Sequence, residues 1–176
     1  MVTTGELLAN PIYRKDLQEA LAHLDQNPIN NVEATAITMK VRIGTNIVEA
    51  IPDSEAAVSV ISKKLAQRLG LAIETGQINL HAVNQPLKMV GTVQKADIKI
   101  GEAYLPTKLN VIESTKDTLL LGMDWFHSYK VNMNTYKKYL EFETQGRKYR
   151  TMITYTQEDE VNIITVEPKA IWVRED

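Results

Sequence analysis

The 176-residue sequence predicts a mainly β domain, a barrel or sandwich of short strands with one or two short helices and a helical segment at the N-terminus. Three observations predict it. Runs alternating between apolar and polar residues recur from Ala36 onward, Gly, Asn and Pro punctuate them at short intervals, and helical periodicity is confined to brief stretches.

Residues 1–30 read as a separate piece. In PIYRKDLQEALAHLD, Ile12, Leu17, Leu21 and Leu24 fall at roughly helical spacing, and Pro28 closes the segment. From Ala36 the period becomes two: Ile37, Met39, Val41 and Ile43 alternate with Thr38, Lys40 and Arg42, a half-buried strand. GTN at 44–46 supplies a turn and IVEAI the returning strand. Past Asp53, an apolar segment from Val58 to Ile61 leads into SKKLAQRLG. That stretch predicts a helix with Ser62 as N-cap, Leu65 and Leu69 on one face, and Gly70 as terminator.

Strand-like runs follow at Ile78–Val83, Leu87–Val93, Ala96–Ile100 and Tyr104–Ile112, with turns at Asn84-Gln85-Pro86 and Gly101-Glu102. TLLLG, 118–122, is a continuous apolar run expected of a strand buried on both faces. MDWFHSY reads as a short helix capped by Asp124, with Met123, Trp125 and Phe126 in the core. Further strands are expected at Val131–Met133, Tyr139–Glu143 and Lys148–Thr154. After the acidic QEDE, Val161–Val166 and Ala170–Val173 suggest one or two terminal strands. The resulting division is a helical segment at 1–30, a central domain at 31–154 and a C-terminal extension at 155–176.

A formal charge of −2 and a pI near 6.0 argue against a dominant attraction to nucleic acid. Arg147, Lys148 and Arg150 read as solvated residues flanking a hairpin. The absence of cysteine excludes disulfides, thiol nucleophiles and thiolate metal sites. No apolar run reaches the length of a membrane span, and no signal-peptide pattern is seen at the N-terminus. The expectation is a soluble intracellular protein, or a fragment of a longer one. His23, His81 and His127 share no ligand spacing, so no metal or cofactor is expected.

Asp53 is the chemical candidate. It follows an apolar run in IPDSEAAVSVIS, where an acid is either a turn residue or a catalytic group at the end of a buried strand. IPDSEAAVSVISKKLAQRLGL, then TLLLGMDWF and VNMNTYKKYLEF, together resemble the retropepsin-like aspartic protease domain, most closely that of gypsy-type retrotransposon polyproteins. The resemblance covers about residues 36–145. It implies a closed β barrel and a homodimer in which each chain supplies one catalytic acid, here Asp53. The implied substrate is an extended peptide or polyprotein, in the cytoplasm or within retroelement particles.

The same resemblance assigns Ser54, Glu55 and Ala56 to the active-site loop, with Ser54 tying the paired loops together. It makes the 82–93 hairpin a flap with Ala82, Val83, Asn84, Gln85 and Pro86 at its end. Asp124 is offered a helix-capping role rather than a catalytic one. Glu55 stands where the family has glycine, and Pro52 where it has an apolar non-proline residue. Glu55 is therefore expected to depress proteolysis at neutral pH, leaving a catalytically silent dimerisation or peptide-binding module as the alternative function.

Overall fold

The computed structural model describes residues 35–82, 85–157, 163–164 and 167–174. The helix expected within 1–30 and His23 lie outside them. Alternation builds β1 (Thr35–Ile43), which returns through Gly44 and Thr45 as β2 (Asn46–Pro52), with Met39, Val41 and Ile43 buried. Gly44 adopts φ +60°, the left-handed conformation that a two-residue hairpin turn favours and a Cβ resists. β3 (Val60–Ser62) runs directly into α1 (Lys63–Arg68).

Ser62 is the N-cap of α1 by position, but its hydroxyl accepts the Thr118 N–H at 3.0 Å instead of closing the helix. The C-terminus forms as expected. Gly70 N–H donates to the Gln67 carbonyl at 3.1 Å and Leu71 N–H to that of Ala66 at 3.0 Å, the paired bonds of a glycine-terminated cap.

β4 (Glu74–Ala82) and β5 (Gln85–Ile100) form a long hairpin, and β6 (Ala103–Ile112) returns along β5. The chain continues through β7 (Leu119–Leu121), α2 (Met123–Ser128), β8 (Asn132–Asn134), β9 (Tyr139–Thr144) and β10 (Arg147–Met152). β11 (Thr154–Gln157), β12 (Ile163–Ile164) and β13 (Ala170–Trp172) complete it.

The neighbours β1, β2, β7, β3, β6 and β5 form a ring, because β5 pairs again with β1. Two of its contacts, β2–β7 and β3–β6, are parallel. The β1–β5 seam holds through Arg42↔Lys99 and Ile43↔Ile98 alone, so the barrel closes unevenly. Inside lie Leu119, Leu121, Ile98, Leu105 and Leu109. A second sheet, β13–β10–β9–β8, adds Leu140, Phe142 and Tyr149 to the same core. Trp125 and Phe126 are buried and Met123 packs at the margin, as expected of core residues. Tyr129, just past α2, donates its hydroxyl to the Pro106 carbonyl, and burial pushes its phenol above the usual range.

Four local expectations are corrected. Gln85 and Pro86 belong to β5 rather than to a turn: Ala82 pairs with Gln85 and His81 with Pro86. β5 joins β6 only from Met89 onward, so Pro86 sits where its missing N–H breaks no second ladder. The runs 87–93 and 96–100 are one strand with a register shift between Val93 and Ala96. The run 148–154 is two strands, because buried Ile153 donates its N–H to the Lys138 carbonyl at 3.1 Å and redirects the chain onto β1. Nor is Arg150 merely solvated. It pairs with Glu141 at 3.2 Å and lies 4.0 Å from the centre of the Tyr139 ring.

The C-terminal strands pair within the chain, β12 on β2 and β13 on β10. Glu167 pairs with Arg42, and Thr151 Oγ1 donates to the Lys169 carbonyl at 2.7 Å. Ending the chain after Gln157 removes several hydrogen bonds, each worth about 1 kcal/mol. The melting temperature should fall by roughly 4–10 °C in a chain of this size. Thermal denaturation checks this, and an unchanged transition would mark the segment as an appendage.

Candidate active site

β2, held between β1 and β7 in the barrel wall, leads directly into Asp53. Ile51 and Pro52 register with Leu120 and Leu121 of β7, and Asp53 N–H then donates to the Leu121 carbonyl at 2.9 Å. Pro52 thus ends the strand without breaking the pair, since the next donor is Asp53 itself. The Asp53 side chain is half-buried, and its Oδ1 accepts the Glu55 N–H at 2.9 Å, a local turn closed by the carboxylate. Ser54 and Glu55 are exposed and Ala56 is half-buried. Asp53 is therefore both a turn residue and an accessible acid at the end of a buried strand.

Glu55, although it stands where the family has glycine, meets no conformational conflict. Among the described residues, non-glycine positive φ occurs at Lys130, Lys138 and Gln145, and not at Glu55. What Glu55 changes is bulk and charge.

The loop after Asp53 is fastened to the start of α2. Met123 N–H donates to the Ala56 carbonyl at 2.7 Å and Asp124 N–H to that of Ala57 at 3.3 Å. Asp124 occupies the first turn of α2, while Gly122 is the N-cap, which corrects the assignment of Asp124 as the cap. Its Oδ1 accepts the Trp125 N–H at 2.7 Å within that turn, and the carboxylate also reaches sideways. Oδ1 accepts the Ser59 hydroxyl at 2.6 Å and Oδ2 the Ser59 N–H at 3.0 Å. Ser59 Oγ in turn accepts the Gly122 N–H at 3.0 Å. With both oxygens engaged by Ser59, Asp124 acts as a structural clamp.

Ser59 was not legible as a site residue, although a lone serine within the apolar run AAVSVI was a usable signal. It is fully buried. Ser59→Ala leaves the Gly122 N–H and one Asp124 oxygen without this partner, a cost of about 1–3 kcal/mol. Urea denaturation should show that loss, and an unaltered midpoint would mean that water replaces the hydroxyl.

The expected flap is the β4–β5 hairpin. Ala82 and Gln85 face each other at its end and Pro86 follows on β5, while Val83 and Asn84 lie outside the described residues. The arms approach closely at Gly91, where a Cβ would come within 2.5 Å of the Glu74 carbonyl oxygen. The structure thus joins Asp53, Ser54, Glu55 and Ala56 with Ser59, Gly122 and Asp124, and carries the flap residues on a separate hairpin. Among the described residues no group of three or more His, Cys, Asp or Glu side chains is arranged to hold a metal ion, and His127 is exposed.

The family described as aspartyl protease matches residues 28–134, more than half of the chain. The chain belongs to the aspartyl protease family. Its domain is retropepsin-like. The retroviral protease-like domain of Ddi1 from Leishmania major aligns with a TM-score of 0.54 over 75% of this chain and 96% of that one. At 19% identity this is a likeness of fold. DNA damage-inducible protein 1 of Yarrowia lipolytica is 23% identical over 139 residues, 77% of this chain and 34% of that protein. The UBA domain-containing protein Mud1 of Schizosaccharomyces pombe is 32% identical over 94 residues, 52% of this chain and 28% of that protein.

The aspartyl protease chain thus spans about a third or less of the length of these relatives. They point to the Ddi1 group rather than to the gypsy-type polyproteins suggested by the motifs.

Proposed function

We propose that two copies of this chain meet through their Asp53 loops as a homodimeric aspartic endopeptidase acting on an extended polypeptide. The carrying observation is Asp53 itself, a half-buried, accessible acid at the end of the β2–β7 pair in a retropepsin-like chain that offers one such loop among the described residues. Two carboxylates brought together cannot both ionise cheaply, and so they share a proton. The ionised one takes a proton from water, whose oxygen attacks the scissile carbonyl carbon. The protonated one donates to the carbonyl oxygen, and the leaving amine is then protonated as the C–N bond breaks. Ser54 ties the two loops together in this reading, and the β4–β5 hairpin covers the substrate.

The proposed setting is intracellular, and the likeness to DNA damage-inducible protein 1 supports a polypeptide substrate other than a retroelement polyprotein. A second reading, a silent dimerisation or peptide-binding module, is favoured by Glu55, an exposed carboxylic acid two residues from Asp53. Incubation with a peptide library at acidic and neutral pH separates the two. Asp53→Asn should lower cleavage by about a thousandfold, roughly 4 kcal/mol of barrier, with sedimentation showing a dimer. Cleavage that survives the substitution would sink the peptidase reading, and an active protein that is strictly monomeric would sink the homodimer.

A further inference from the structure

β10 and the chain running out of β13 bring two arginines and an exposed indole together at one end of the four-stranded sheet. Tyr149 registers with Trp172, and Val173 N–H donates to the Lys148 carbonyl at 2.9 Å. Continuing this antiparallel register sets Arg174 opposite Arg147. Directly opposed residues share a face, and like charges in that position repel. The guanidinium carbons of Arg147 and Arg174 each lie 5.5 Å from the centre of the Trp172 ring. Among the described residues neither guanidinium forms an ion pair. Glu143, the acid bordering the groove, is bridged by Lys130 at 3.2 Å. The groove is open, about 410 Å³, and the Lys148 backbone borders it. Trp172 remains 53% exposed.

We propose that this groove binds an acidic segment of a polypeptide, whose carboxylate or phosphate oxygens bridge Arg147 and Arg174 above Trp172. An oxyanion between the two forks relieves their repulsion and accepts charge-assisted hydrogen bonds from both. A nucleic acid fits less well. Both guanidinium groups already lie over the indole, so a stacking base would have to displace one, and two cations form a small footprint for a polynucleotide. The proposal goes beyond the peptidase reading and does not depend on it, since binding is measured without cleavage.

The chain has two tryptophans, and Trp125 is 1% exposed, so changes in emission on binding report Trp172. The full chain is titrated with a short Glu- and Asp-rich peptide, its phosphoserine counterpart, its Gln and Asn counterpart, and a single-stranded oligonucleotide of equal charge. Either acidic peptide should give a saturable change that salt weakens. The neutral peptide should give none, and Trp172→Phe should remove the signal. Arg147→Gln and Arg174→Gln should each weaken binding by about tenfold, the scale of one charge-assisted hydrogen bond, at unchanged melting temperature. Asp53→Asn should bind with the parent affinity, which keeps a failure of catalysis distinct from a failure of this site. Equal binding of the neutral peptide, tighter binding of the oligonucleotide, or arginine variants without effect would overturn the proposal.

Discussion

Replacing Glu55 by glycine is expected to raise peptide cleavage by at least about tenfold, a change of about 1.4 kcal/mol in barrier height. Glu55 is exposed, and its N–H holds Asp53 Oδ1 at 2.9 Å, a bond that any residue but proline can make at this position. The backbone there needs no left-handed conformation, so the gain cannot come from relief of strain. It comes from the side chain. In the proposed dimer, two copies of Glu55 add two negative charges beside two copies of Asp53, which opposes assembly and crowds the path of the substrate. Glu55→Gln separates these effects, because it keeps the size and removes the charge. If charge dominates, Glu55→Gln should recover most of the gain and tighten the dimer in sedimentation. If bulk dominates, only Glu55→Gly should do so. A parent protein that cleaves as well as both variants would show that Glu55 points away from the cleft in the dimer.

The sequence was most legible where one local interaction decides the structure. The alternation in β1, the Gly70 terminator of α1 and the buried TLLLG strand each depend on a few neighbouring residues, and each forms where expected. It was least legible where distant segments meet. Nothing in QKADIKI marks β5 as one continuous strand, because the shift near Gln94 and Lys95 is set by pairing with β6. The division at Ile153 likewise reflects two sheets competing for one run of residues. At the site, Asp53 was recognisable from its motif. The clamp joining Ser59 to Asp124 was not, since it spans 65 residues and appears only when the loop and α2 are folded together.

Gly122→Ala is expected to be the most disruptive single substitution near Asp53. A Cβ at position 122 would lie 2.6 Å from the Val58 carbonyl oxygen and 2.7 Å from that of Ala56. The backbone at Gly122 has φ −93° and ψ −166°, an extended conformation open to any residue, so the demand is for room rather than flexibility. The obstructing atoms are main chain and cannot rotate aside. Nor can their loop move freely. Met123 N–H holds the Ala56 carbonyl at 2.7 Å, and Gly122 N–H holds Ser59 Oγ at 3.0 Å. Loss of about 4 kcal/mol or more is expected, the range of severe core disruption, lowering the melting temperature by roughly 8–16 °C. Gly70→Ala provides the contrast. Nothing lies within 4 Å of a Cβ there, but φ is +67°, so the cost should be the left-handed penalty of about 1–2 kcal/mol. Should the Gly122→Ala protein fold, its displaced Asp53 loop should reduce cleavage further than the stability loss accounts for. If instead it melts within a degree or two of the parent and retains its activity, the loop has room to move and the close fit between Asp53's loop and α2 does not hold the acid in place.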